Sequence, residues 1–250
     1  MLILEIVLGL IIGLLLGLLG GGGSILTVPA LVYVLGQPAQ AAVTASLVIV
    51  GSSSAFGATM RRGSGSLNLA VALLFGLSGM AAAYVTANLA ANIPSAVLML
   101  MFALLMLVVG SMMIAGRHME RDEAPRSQPV KVVAVGAGVG TLTGVLGVGG
   151  GFLIVPALVM WVGLPMAQAV GTSLIVIAMN SAAGLAGHLG GASLDWALIG
   201  TFALAGFAGT YVGTRLNARL GADALRKGFA VFVIALALIL LVDNLGRLAV

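Results

Sequence analysis

Only 7% of the 250 residues are charged and 61% are apolar. That balance excludes a water-soluble domain, which needs roughly a quarter charged residues to cover its surface. The net charge of +4 is spread without any basic patch interleaved with aromatics, so nucleic acid is not an expected partner; with no cysteine, disulfides and thiolate metal sites are excluded as well, and no cofactor is expected.

The first apolar run covers about residues 2–19. It carries Glu5 where a signal peptide would be basic, and it is followed by Gly20, Gly21, Gly22, Gly23 and Ser24 rather than a small-residue cleavage site. It is therefore read as a structural helix. Further pieces follow at about 24–35, 39–60, 67–91 and 95–116. Runs of about 20 residues match the hydrocarbon thickness at 1.5 Å per residue, whereas barrel strands would be about 10 residues long and alternate in polarity. Helices are the expectation. The piece at 24–35 is too short to cross, and with the glycine run before it and Pro29 inside it, it reads as a broken or re-entrant element.

The polar stretch RHMERDEAPRSQPVK separates this half from five more pieces, at about 131–147, 151–162, 166–189, 194–219 and 223–245. Residue n of the first half matches residue n+127 of the second without a gap. GLLGGGGSILTVPALVYVLGQP at 17–38 lies over GVLGVGGGFLIVPALVMWVGLP at 144–165. Ser46-Leu47 falls on Ser173-Leu174, Ser54-Ala55 on Ser181-Ala182, Phe75 on Phe202 and Tyr84-Val85 on Tyr211-Val212. Identity at about a third of the aligned positions is more than apolar composition produces by itself. The expected organisation is a first membrane repeat at 1–116, a cytoplasmic linker at 117–130 and a second membrane repeat at 131–250, with 8–10 membrane helical segments in all.

Positive charge falls in different places in the two halves. Arg61 and Arg62 sit between the third and fourth pieces of the first half; Arg215, Arg219, Arg226 and Lys227 sit between the fourth and fifth pieces of the second. If Lys and Arg mark the cytoplasm, the halves are inverted, the linker is inside and both termini are outside, in agreement with Glu5. Inverted repeats with matching broken helices bring the breaks together near the bilayer midplane, where solutes bind.

Helix N-termini at the breaks would aim free N–H groups at a guest, a setting suited to an anion. The third pieces add neutral donors: Thr44, Ser46, Ser52, Ser53 and Ser54 in one half, Thr172, Ser173, Asn180 and Ser181 in the other. The expected binding set is Gly22, Gly23, Ser24, Thr44, Ser46, Gly149, Gly150, Gly151, Thr172, Ser173 and Asn180. No acidic residue lies near the middle of a long piece, as an amine or metal-cation site would require. The plainer alternatives are glycines that only permit close packing and hydroxyls that bond their own helix. His118 and His188 are far apart without paired acids, and no G-K-[ST] follows the glycines, so no enzyme chemistry is expected.

The blocks G-G-G-G-S-x-L-x-V-P-A-L with A-V-T-A-S-L, and G-V-G-G-G-F-L-I-V-P-A-L with A-V-G-T-S-L, resemble the sulfite exporter TauE/SafE family, also called the 4-toluenesulfonate uptake permease family. The second block is the closer match, through Gly147, Gly149, Gly150, Gly151, Pro156, Gly171, Thr172 and Ser173; the first has Thr44-Ala45-Ser46 where the pattern has G-T-S. The resemblance implies an all-α integral membrane fold and transport of sulfite, thiosulfate, sulfoacetate or other sulfonates in a bacterial-type plasma membrane. The expected partners are a small anionic solute and the lipid bilayer, the expected mechanism alternating access. An anion channel and a membrane-embedded scaffold or enzyme are the alternatives.

Overall fold

The computed structural model describes residues 2–87, 95–115, 128–146, 151–188 and 194–248, and among these there is no strand. The first half contains α1 (Leu2–Leu19), α2 (Gly22–Pro29), α3 (Ala39–Met60), α4 (Leu69–Ala87) and α5 (Ser95–Ala115). The second contains α6 (Pro129–Leu146), α7 (Gly151–Ala157), α8 (Met166–His188), α9 (Trp196–Asn217) and α10 (Ala222–Leu248). The expected linker lies for the most part outside the described residues. Six of the described helices are long and apolar enough to cross a membrane. Phe75, Phe152, Phe202 and Phe229 fill the core, while Leu69, Leu77, Leu204 and Ile239 face outward. An apolar outer surface of this extent suits hydrocarbon and not water.

The short second piece of each half is built the same way. Pro29 and Pro156 lie inside α2 and α7. A proline lacks the N–H that an α-helix needs and crowds the preceding turn. Directly after each, the helix widens into a π turn, at Ala30–Val34 and Leu158–Val162. Both turns end at a glycine in the left-handed region, Gly36 and its equivalent Gly163, with φ of +68° and +84°.

The chain reverses at Gly20, whose φ of +77° would strain any other residue. Beyond it α2 runs back along α1, with Gly22 beside Leu19 and Gly23 against Leu16 and the carbonyl of Ile12.

Helix directions follow from which residues meet. On α1 and α9, Gly9 lies on Phe202, Gly13 on Gly206 and Gly17 on Thr210, so both numbers rise together and the helices are parallel. The equivalent pair, α6 and α4, is parallel too: Gly136 meets Phe75 and Gly140 meets Gly79. Small residues let these backbones approach closely. Between α3 and α8 the order reverses: Gly57 meets Leu174, Gly51 meets Ser181, and Gly184 meets Leu47. These repeat-equivalent helices therefore cross antiparallel. Elsewhere α5 packs on its counterpart α10, and α2 on α7.

Candidate functional site

The first glycine break meets the start of α7, the described end of the second glycine run. Gly21 presses against the backbone of Gly151 and Phe152, so closely that a Cβ at position 21 would overlap the Gly151 carbonyl. On the other face of this contact Gly151 lies against Ser24, whose hydroxyl donates to the Gly21 carbonyl at 2.7 Å. Gly20 packs against Ser173 and the Val170 carbonyl of α8. Ser173 lies about 10 Å along α8 from Met166, at 1.5 Å per residue, so the break is well inside the length of a spanning helix.

The expected site residues divide into groups. Ser24 and Gly151 belong to the contact just described, Gly22 and Gly23 instead face α1 and Phe232, and Gly149 and Gly150 lie outside the described residues. Thr44 and Ser46 are buried on α3, and each hydroxyl donates to its own helix, to the carbonyls of Gln40 (3.1 Å) and Val43 (2.7 Å). Ser173 does the same to Val170 at 2.8 Å. Thr172 accepts from the Asn68 backbone N–H at 3.1 Å, which ties the start of α4 to α8. Asn180 differs: its Oδ1 is buried without a partner. So are the hydroxyls of Ser53, the repeat equivalent of Asn180, and of Ser54. These atoms cluster by sequence around the crossing of α3 and α8, where Gly51 meets Ser181.

A shallow cavity of about 320 Å³ opens at the starts of α3 and α9, lined by Gln37, Pro38, Ala41, Leu194 and Asp195. The equivalent place at the starts of α8 and α4 is filled. There Gly171 lies under the Ser66 carbonyl and Asn68 is bonded to Thr172. The residue equivalent to Thr172 is Ala45, which has no hydroxyl with which to make the matching bond. Among the described residues the two equivalent places are thus unequal: one is recessed, the other is occupied by the 66–68 segment.

The end at which α3 finishes holds a residue whose charge marked only topology in the sequence. Arg61 follows the last residue of α3 and is 5% exposed. Its Nη1 donates to Asn217 Oδ1 at 3.0 Å and its Nη2 to the Gly17 carbonyl at 2.9 Å. Asn217 Nδ2 in turn donates to the Leu18 carbonyl at 2.6 Å, and Thr210 to the Gly13 carbonyl at 3.2 Å. The C-terminal carbonyls of α1 are therefore met by side chains from α3 and α9, as helix ends require. Burial lowers the Arg61 pKa from the ordinary arginine range to about 10, which leaves it cationic at neutral pH. Among the described residues the one ion pair is Arg226 with Asp223, so Arg61 has no carboxylate partner there. The signal for this arrangement was a polar stripe on α9, Thr210, Thr214 and Asn217, where the equivalent positions of the first half hold Ala83, Ala87 and Ala90.

Helix directions place most of the other described cations at the same end, Arg247 at the close of α10 lying at the opposite one. Arg215 and Arg219 lie at the close of α9, Arg226 and Lys227 in the opening turns of α10, and Lys131 at the start of α6, beside the start of α4. Glu5 and Asp195 lie at the recessed end, Glu5 accepting from Thr201 at 2.9 Å and Asp195 capping α9 through the N–H groups of Ala197 and Leu198.

Interrupted helices at matching repeat positions occur in membrane transporters, and the proteins this chain is similar to carry that description. The family model described as "Sulfite exporter TauE/SafE" matches residues 5–240. A "Probable membrane transporter protein" of Xylella fastidiosa (strain 9a5c) is 33% identical over 244 residues, 95% of this chain and 94% of its own. A similarly named protein of Methanocaldococcus jannaschii is 27% identical over 195 residues, covering 76% of this chain and 73% of that one. Another, from Bacillus subtilis (strain 168), is 23% identical over 222 residues, 87% of each chain. No solved structure matches the chain significantly. The match of one family model to nearly the whole chain, both breaks included, makes this multi-pass membrane protein a member of the TauE/SafE sulfite exporter family of transporters.

Proposed function

We propose that the chain carries small anions, sulfur oxyanions and sulfonates foremost, across a bacterial-type plasma membrane by alternating access between two inverted halves. The observation that carries this reading is the meeting of the first glycine break with the start of α7, Gly21 against Gly151, within the length of the spanning helix α8. Interrupted helices at matching repeat positions are where transporters of this architecture hold their solute. The antiparallel crossing of α3 and α8 supports inversion, and the gathering of Arg and Lys at one end supports placing that end in the cytoplasm, with both termini outside. In this reading 1–116 and 131–250 are the two repeats. The breaks part to admit the anion, N–H groups near Gly22, Gly23, Ser24 and Gly149, Gly150, Gly151 bind it, and Thr44, Ser46, Thr172, Ser173 and Asn180 line its surroundings. The cavity beside Asp195 is then the outward vestibule, and the Arg61 end is shut.

Proteoliposomes containing the chain should show saturable uptake and counterflow of radiolabelled sulfite, thiosulfate or a small sulfonate. Flux without counterflow would replace a carrier with a channel, and no flux of any of them would remove the anion reading. The cysteine-free sequence also permits a topology test by single substitutions. Ser64→Cys and Asp195→Cys, both exposed positions, should react with an impermeant maleimide from opposite sides of the membrane, Ser64→Cys from the cytoplasmic side. Labelling of both from one side would end the inverted arrangement.

A further inference from the structure

We propose that Arg61 and Thr214 form an oxyanion-binding station at the cation-rich end of the bundle, around Gly17 and distinct from the Gly21–Gly151 contact. This rests on the reading of the chain as an anion carrier and adds a second binding place on the solute's route.

Two buried polar atoms at this joint lack partners: Arg61 Nε and Thr214 Oγ1. Both groups flank Gly17. The Arg61 guanidinium bonds its carbonyl, and a Cβ on Gly17 would lie 2.9 Å from the Thr214 backbone nitrogen. A hydroxyl in a helix ordinarily finds the carbonyl three or four residues back, as Ser24, Thr44, Ser46 and Ser173 do here. Thr214 does not. A guanidinium has N–H donors in a planar fork suited to oxyanions, and burying it without a counter-charge is unfavourable unless something negative arrives.

The joint is not something that helix packing demands. The equivalent contact of α6 on α4 is built over the same glycine spacing, through Gly136 and Gly140. There Thr214 and Asn217 are replaced by Ala87 and Ala90, and Arg61 by His188. One half of the molecule therefore assembles this helix pair without the Thr, the Asn or the Arg. What the polar version adds is a set of donors around Gly17: a cation with a spare N–H and, on the neighbouring helix, a residue with a spare O–H. Arg62, Arg215 and Arg219 at the same end would raise the local concentration of an anion arriving from that side.

The test is direct binding of sulfite and of thiosulfate to the purified chain in nanodiscs, by calorimetry, alongside thermal unfolding. Thr214→Val keeps the shape and removes only an unpartnered hydroxyl, so a purely structural role predicts unchanged or raised thermal stability and unchanged affinity. The station predicts the same stability with affinity weakened about tenfold, the worth of one charge-assisted hydrogen bond. Arg61→Gln should weaken binding further, and Arg61→Lys, which retains the charge without the fork, should fall between the wild type and Arg61→Gln. Wild-type affinity in Thr214→Val, with anion binding to the wild-type chain intact, overturns the station and leaves the carrier reading standing. Failure of the wild-type chain to bind either anion removes both.

Discussion

Gly21→Leu should reduce solute flux in proteoliposomes to below about a tenth of wild type while the protein remains inserted. The side chain would start where the carbonyl of Gly151 already is, and the obstructing atoms are backbone, which cannot turn aside as a flexible side chain can. Overpacking a filled site costs about 1–3 kcal/mol even where side chains can move. Here the two breaks would be driven apart, and the state in which they close on each other would be lost. Gly138→Leu is the control, because nothing lies within 4 Å of a Cβ at that position on α6. It should transport as wild type does. Equal flux from Gly21→Leu and Gly138→Leu would show that the meeting of the breaks has no part in transport.

Gly13→Val attacks the fold rather than the carrier cycle. Gly13 is the middle of three glycines, Gly9, Gly13 and Gly17, on the α1 face that lies on α9, and a Cβ there would overlap the backbone of Gly206. Close backbone approach is the chief source of helix–helix attraction in lipid, where no hydrophobic driving force remains. Separating these helices would also pull Gly17 and Leu18 from Arg61 and Asn217. The expected loss is about 3 kcal/mol or more, at the upper end for overpacking. It should be read as a large fall in the unfolding midpoint in mild detergent. An unchanged midpoint would mean that α1 and α9 do not pack as described.

The helices themselves were legible because hydrocarbon imposes their length. The piece expected at 151–162 is α7 with its π turn, and that at 166–189 is α8 to within one residue. Pro29 and its equivalent Pro156 were legible as a repeated interruption because a proline's backbone requirement is local, whereas the left-handed Gly36 and Gly163 beyond the π turns were not singled out. Arg61 was not legible in its true setting. A charge at the end of an apolar run is by rule a loop residue, and only the distant pair Gly17 and Asn217 turns it inward. Nor did the sequence distinguish Ser46, which bonds its own helix, from Ser53 and Ser54, which have no partner; all depend on the rotamer, which sequence alone leaves open. The four-residue spacing of Gly9, Gly13 and Gly17 was visible and marks the seam with α9.

The pairing of α1 with α9 and of α6 with α4 has a consequence for how such a chain could arise and fold. Each repeat lends its opening helix to its twin, so neither can complete its own glycine-lined groove. A lone repeat would present that groove empty, and two copies of it would satisfy each other by exchange. On the proposed two-repeat reading the chain corresponds to such an exchanged pair in one polypeptide, and α1 has to wait for α9 to emerge from the ribosome before it can pack.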